Sequence, residues 1–343
     1  MKNTFLLILI LSFFTGCKKH STISLSGQNN IVDGLELTFI KTNLQKSFTT
    51  VYFLTENTGY LAASDGSIYK TEDGANTWTA LNTNTTLPLY DICFLNSNEG
   101  YAVGGEDQCG GTGCIPGGAE IIQTTDGGQT WNRSSFVPND KIEFVSVNFP
   151  SNTTGYIVGD GLILSTSDRN VNWNKTILTN LGGVMLDVKF ISNKKGLIAC
   201  TFGKLLKTID GGINWNVSTP FSTSGSNTLA LVNDNLVYAA SSYYIMKSFD
   251  FGTTWSYLGG SPKDIFKLVF KSENLGYAFG RGDYSGGDFG HNYGSIYYTT
   301  DGGISWKGNR KIHDIGMIQS ASFPLENVGY AVSGSTIIKI KKQ

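Results

Sequence analysis

Residues 121–131 read Ile-Ile-Gln-Thr-Thr-Asp-Gly-Gly-Gln-Thr-Trp, a short apolar run leading into Thr-x-Asp-Gly-Gly, with Trp131 five residues after Asp126. The pattern returns as IYKTEDGANTW (68–78), ILSTSDRNVNW (163–173), LLKTIDGGINW (205–215), IMKSFDFGTTW (245–255) and IYYTTDGGISW (296–306). Each of the six tryptophans of the chain closes one copy. These residue types specify a hairpin. A carboxylate at the head of a turn accepts hydrogen bonds from the backbone N–H groups that follow it, and glycine supplies the positive φ of a tight reversal. Threonine on either side favours extended backbone, and the indole opens the return strand with a large apolar face. Asp73, Asp126, Asp168, Asp210, Asp250 and Asp301, with Trp78, Trp131, Trp173, Trp215, Trp255 and Trp306, are therefore read as structural.

A companion pattern precedes each turn: VYFLTENTGYLAA (51–63), ICFLNSNEGYAVG (92–104), VNFPSNTTGYIVG (147–159), VKFISNKKGLIAC (188–200), LALVNDNLVYAA (229–240), LVFKSENLGYAFG (268–280) and SFPLENVGYAVS (322–333). A strand ends at Phe, a polar turn follows, and Gly-Tyr starts a second strand. Leu197 replaces Tyr in the fourth copy and Val237 replaces Gly in the fifth. The turn motif supplies strands three and four, so the repeat of about 40 residues is a four-stranded meander, the unit of a β-propeller. One such sheet buries too little surface by itself, and the units stack around an axis. The fold class expected is all-β, a seven-bladed propeller.

The companion pattern occurs seven times and the turn motif six. The seventh unit ends in STIIKIKK (335–342), a third strand without a fourth, while LELTFIKTNLQKSFTTVYF (35–53) aligns with WTALNTNTTLPLYDICF (78–94). Residues 35–42 are therefore expected to pair with 336–341 and complete the last blade, which removes two open sheet edges.

Loops sort by face in such a disc. The turn motifs all join strands three and four, whereas both long insertions join strands two and three, on the opposite face: 104–120 in blade 2 and 280–295 in blade 6. Long loops on a rigid scaffold are where binding concentrates. The ligand-face candidates are Glu106, Asp107, Asp160, Arg281, Asp283, Tyr284, Asp288, His291 and Tyr293. Cys109 and Cys114 are expected to form a local disulfide. Cys93 and Cys200 read as thiols within strands, and only the contact of two blades would let them pair. His313-Asp314 lies on the same face with no nucleophile in reach of a dyad. No catalytic residue, metal ligand or cofactor site is assigned.

At the N-terminus, MKNTFLLILILSFFTGC has a basic start, an apolar core and small residues before Cys17. It reads as a secretory signal, residues 1–16. The tetrapeptide Phe14-Thr15-Gly16-Cys17 resembles a bacterial lipobox, with Phe where Leu is usual, and the resemblance implies cleavage before Cys17 and its acylation. Lys18 after the cysteine favours the outer over the inner membrane by the sorting habit of lipoproteins. Residues 17–33 read as a flexible tether and 34–343 as the propeller. The formal net charge of −1 leaves no polybasic stripe for nucleic acid, and no later apolar run is long enough for a membrane span. A monomer is expected.

The turn motif resembles the Asp-box, or BNR repeat, of sialidases and related propellers, where it is a structural turn remote from the active site. Sialidase chemistry itself needs an arginine cluster, and the chain has only Arg133, Arg169, Arg281 and Arg310. The paired motifs together resemble the photosystem II stability and assembly factor family over about residues 35–342. That resemblance implies seven blades, no catalysis, membrane association and a partner protein held during assembly. The chain lacks the arginine-rich patch of that family. The function expected is a membrane-anchored scaffold that binds a protein or glycan in the bacterial cell envelope. The alternative is a glycan-active enzyme of the Asp-box superfamily, a glycoside hydrolase with two carboxylates across the cleft.

Overall fold

The two motifs fold as their spacing requires. In blade 1 the strands Phe48–Phe53, Gly59–Ala63, Ile68–Thr71 and Thr79–Leu81 pair antiparallel in chain order. This computed structural model describes residues 29–343, except 106–107, 111–112, 116–117, 135–141, 170, 179–180, 182, 221–225, 283–292 and 313–314. The meander repeats through blades 2 to 6, and the first strands of successive blades touch one another around the axis. The seventh sheet is closed by the two ends of the chain. Leu35–Lys41 pairs antiparallel with Thr336–Lys342, from Leu35 opposite Lys342 to Lys41 opposite Thr336. A further outer strand, Asn29–Val32, pairs with the same N-terminal strand, on residues that the sequence places at the end of the tether.

The junctions between blades explain why the companion motif needs Phe, Gly and Tyr together. The Phe ring at the end of each first strand lies over the Gly that starts the second. A β-carbon on Gly196 would stand 2.4 Å from the Phe190 ring, and one on Gly155 would stand 2.3 Å from Phe149. The other face of that Phe ring stacks on the Tyr of the preceding blade. Tyr156 and Phe190 lie 3.6 Å apart between centroids and Tyr238 and Phe270 3.7 Å, and Tyr330 of blade 7 stacks on Phe53 of blade 1 at 3.6 Å. Each such pair adds about 0.5–1.5 kcal/mol beyond its buried area. The tyrosine hydroxyl then donates to the next blade: Tyr60 to the Gly127 carbonyl at 2.8 Å and Tyr156 to Gly211 at 3.0 Å. The indole meets the Phe edge-on, as in Phe190–Trp215 and Phe270–Trp306. The tryptophans are thus spread among the junctions.

The junction of blades 4 and 5 is different. Leu197 stands where Tyr would stack, Leu231 where Phe would lie, and Val237 opposite Leu231 where Gly would be. An aliphatic cluster with Leu229, Phe251 and Trp255 replaces the ring sandwich.

Candidate functional site on the insertion face

The six box aspartates are consumed by their own turns. In blade 1, Asp73 accepts from the backbone N–H and hydroxyl of Thr77 at 2.8 and 2.6 Å, and from the Thr71 hydroxyl at 2.8 Å. The arrangement recurs at Asp301 with Ser305 and Thr299. Hydrogen bonds from the residue four places on hold the carboxyls of Asp126, Asp168, Asp210, Asp250 and Asp301 below the ordinary range, Asp301 at about 2. At Asp73 burial opposes the shift, and the bonds from Thr77 outweigh it. These carboxylates hold turns on the face away from the insertions.

On the insertion face, blade 2 opens at Gly104–Gly105, where a β-carbon on Gly104 would lie 1.8 Å from the Pro88 carbonyl oxygen and Gly105 has φ of 138°. The chain re-enters at Glu120, 3% exposed, whose carboxylate takes the Arg133 guanidinium at 3.0 Å and the Thr85 hydroxyl at 2.8 Å. Arg133 also donates to the Ala119 carbonyl at 3.0 Å. Within the insertion, Gln108–Gly110 and Gly113–Ile115 form a hairpin that sets Cys109 directly opposite Cys114. In blade 6 the Gly282 N–H donates to the Tyr293 carbonyl at 2.6 Å and closes the base of the second insertion. Arg281 pairs there with Asp264 at 3.5 Å.

Of the ligand-face candidates, Arg281 and Tyr293 flank one insertion, and exposed Asp160 sits in a blade 3 turn, accepting from the Glu143 N–H at 3.4 Å. Glu106, Asp107, Asp283, Tyr284, Asp288 and His291 lie outside the described residues, as do Cys17 and His313-Asp314. Cys93 and Cys200 are free thiols, which answers whether they pair. Burial pushes them up to about 11 and about 12. Among the described residues no group of three or more His, Cys, Asp or Glu side chains is placed to hold a metal ion. No helix among them is long and apolar enough to cross a membrane.

Two features escaped the sequence. One is an aromatic groove of about 360 Å³ lined by Pro220, Tyr244, Met246 and Tyr257, where blade 5 meets the chain leaving blade 4. Its residues come from a loop, a turn and two strands with no shared motif, so nothing in the sequence foretells it. The other is a polar belt around the axis: Thr50, Asp91, Ser146, Asp187, Thr228, Lys267 and Ser320. Each stands three residues before the motif Phe, or before Leu231 in blade 5, so the alignment carried the signal. The belt stitches blade to blade, since at Asp91, Ser146, Asp187, Thr228 and Ser320 a side chain of one blade caps a backbone N–H of the next. Asp91 accepts from Val147 at 3.0 Å, Asp187 from Leu229 at 2.9 Å and Ser320 from Val51 at 3.1 Å.

What fold and turns define is a seven-bladed Asp-box propeller with a decorated face and a polar axis. A family model for the photosynthesis system II assembly factor YCF48 matches residues 80–184, and one for the BNR/Asp-box repeat matches residues 297–307. The chain is 28% identical over 271 residues to the photosystem II assembly lipoprotein Ycf48 of Prochlorococcus marinus, covering 72% of this chain and 76% of that one. It is 36% identical over 142 residues to Ycf48 of Thermosynechococcus vestitus, 41% of this chain and 38% of the other. Among solved structures, YCF48 bound to a D1 peptide superposes with a TM-score of 0.68 at 17% identity, over 94% of this chain and 99% of that one. The GH74 xyloglucanase of Xanthomonas campestris does so at 0.63 and 12% identity, over 90% of this chain and 52% of the enzyme. The resemblance carried by the paired motifs is thereby borne out: the chain is similar to the photosystem II assembly factors in sequence and in fold, a seven-bladed propeller with Asp-box repeats.

Proposed function

We propose that this protein is a non-catalytic scaffold that holds a protein partner on its insertion face, anchored to the envelope membrane through lipidated Cys17. The observation that carries the reading is the division of labour between the faces. The box carboxylates are all spent on turns, while both departures from the repeat length rise on the other side. The likeness to Ycf48, one relative being described as a lipoprotein and another solved with a peptide, supports a protein partner and a lipid anchor. In this reading Glu106, Asp107, Asp160, Arg281, Asp283, Tyr284, Asp288, His291 and Tyr293 contact the partner, and a Cys109–Cys114 bridge stiffens the blade 2 insertion. Lys18 favours the outer membrane. The test is co-purification of crosslinked partners from membranes with the intact chain and with residues 280–295 replaced by a short glycine linker. Loss of a defined partner with the linker is expected. Retention of every partner refutes the face assignment. Turnover on a fluorogenic glycoside panel, abolished by a single carboxylate-to-amide change, would refute the non-catalytic reading in favour of a glycoside hydrolase.

A further inference from the structure

The box turns differ at their apices in a way that the Asp, Gly and Trp of the motif do not require. Two positions of every box are exposed, the residue before the Asp and the third residue after it. In blades 1 and 2 they hold polar pairs, Glu72 with Asn76 and Thr125 with Gln129. In blades 3 to 6 one or both become apolar: Val171, Ile209 with Ile213, Phe249, and Ile304. Exposure of these side chains runs from 60% at Ile209 to 80% at Ile213. Single apolar residues are common on any protein surface, but these occupy equivalent positions in four adjacent blades, on one face of the disc. The outermost strands of the same sector add exposed Ile177, Val217 and Tyr257.

The turns that carry these tips are held rigid. Asp210 accepts from the Asn214 N–H at 3.0 Å and Asp250 from the Thr254 N–H at 2.8 Å, so a contact made there orders little new backbone. Cationic side chains stand beside the tips. The Lys247 ammonium lies 4.8 Å from the centre of the Phe249 ring, and Lys207 donates to the Thr253 hydroxyl at 2.6 Å. Other charges on this face meet one another, Lys195 with Asp234 at 3.4 Å and Arg169 with Glu99 at 3.6 Å. Apolar contact rather than charge is therefore what this sector offers. Separate tips on rigid turns suit a fluid medium that closes around each of them, and lysine stems lie along such a boundary with their ammonium groups in water.

The chain also meets the disc close to this face. Asp33 and Gly34 turn level with the boxes, and Asn29 pairs opposite Thr38, about 10 Å from that end of the strand. The stretch from Cys17 to Asn29 reaches at most about 40 Å when extended. An acyl group on Cys17 can thus sit in a bilayer that touches the tips.

We propose that the box face of blades 3 to 6 rests on a phospholipid bilayer, with Val171, Ile209, Ile213, Phe249 and Ile304 entering the headgroup layer. The disc tilts so that the polar turns of blades 1 and 2 stand clear, and the insertion face points away from the membrane. The inference deepens the lipid-anchor reading, which supplies the tether, while the exposed tips are independent of it.

The test is nitroxide accessibility by electron paramagnetic resonance, on the mature chain purified from membranes and reconstituted in phosphatidylcholine vesicles. Ile213→Cys, Ile304→Cys, Gln129→Cys and Lys263→Cys carry the label one at a time, with the unsubstituted chain as background. Lys263 is exposed on the opposite face, between blades 5 and 6. The ratio of oxygen to nickel-chelate accessibility should be at least about fivefold higher at Ile213→Cys and Ile304→Cys than at Lys263→Cys, as for side chains about 5–10 Å into the boundary. Gln129→Cys should resemble Lys263→Cys. Adding Val171→Ser, Ile209→Ser and Phe249→Ser should lower the ratio at Ile304→Cys and leave the melting temperature unchanged, since all three side chains are exposed. Equal ratios at the four sites, or a ratio at Ile304→Cys that ignores the three serines, overturns the proposal. Spin–spin broadening at Ile213→Cys without lipid contact assigns the face to a second copy of the chain and overturns it too. Mass spectrometry of the same sample reads acylation of Cys17 separately. An acylated chain with its tips in water refutes the docking face alone, and tips in lipid on an unacylated chain refute the anchor alone.

Discussion

Deleting residues 34–45 should cost the disc most of its stability. The N-terminal strand is the fourth strand of blade 7, and its two sides serve different junctions. Leu35 and Leu37, each 1% exposed, belong to the cluster shared with blade 6, while Ile40, 3% exposed, belongs to the cluster shared with blade 1. Burial of each such side chain stabilises by about 1.5–3 kcal/mol, or about 5–9 kcal/mol for the three. That is an upper figure because unfolded chains already bury some apolar surface, yet it is comparable with the whole stability of a typical domain, about 5–15 kcal/mol. The seven paired residues of the strand Thr336–Lys342 would lose their outer neighbour as well. A graded version avoids an unfolded product: Leu37→Ala should cost about 2–5 kcal/mol, whereas Ala at exposed Lys41 in the same strand should stay within about 0.5 kcal/mol. Urea titration followed by tryptophan fluorescence and far-UV circular dichroism reads both, and hydrogen exchange should show lost protection at Ile337, Ile338 and Ile340. A 34–45 deletion that melts like the parent, or a Leu37→Ala variant as silent as Lys41→Ala, would refute closure by the two chain ends.

The other expectations concern the motifs. Gly196→Ala drives a β-carbon against the Phe190 ring and should destabilise by about 1–3 kcal/mol. Phe190→Leu in the same chain should recover part of that loss, a coupling above about 0.5 kcal/mol in a double-mutant cycle, and strict additivity would refute the packing account. The box carboxyls titrate lower in the folded than in the unfolded chain. Their contribution is therefore full above the ordinary carboxylate value of about 4 and is lost as pH falls through the folded values, about 2 for Asp301. Asp301→Asn should accordingly flatten the acid branch of the stability curve, and an unchanged branch would show that the turn does not depend on the ionised form. Arg133→Ala leaves Glu120 buried with the Thr85 hydroxyl as its remaining side-chain partner and should cost about 1–3 kcal/mol, discounted because the arginine is itself half in solvent. Adding Glu120→Gln should return part of it, as chemical denaturation of the three variants would reveal.

Much of the fold was legible because each repeated residue has one steric or hydrogen-bonding reason to be there. Asp at the turn, Gly under a Phe ring and Trp at the edge of that ring recur at fixed spacing, so alignment of the chain with itself was enough to place strands, faces and the closing seam. The site was less legible for an equally physical reason. Glu120, Arg133 and Thr85 come from three separate segments, and the groove of Pro220, Tyr244, Met246 and Tyr257 is assembled across blades. Such contacts depend on the angle between neighbouring sheets, which periodicity does not encode. Cys93 and Cys200 illustrate the limit: both lie in strands, and only the packed ring showed that they remain apart.

Departures from the repeat fall into two kinds that the structure separates. Leu197, Leu231 and Val237 all depart from the companion motif, and all three meet at one junction. Once Leu231 replaces the Phe ring, the space above the strand start admits a β-branched side chain, and the stacking partner in blade 4 need not be aromatic. These departures compensate one another and require no ligand to explain them. Lys267 differs from them in kind. It takes a belt position at which Asp91, Ser146, Asp187, Thr228 and Ser320 each cap a backbone N–H of the following blade, and an ammonium can only donate. Departures that meet at one junction and fit one another belong to the packing of the ring, so variants at Leu197 or Val237 bear on stability.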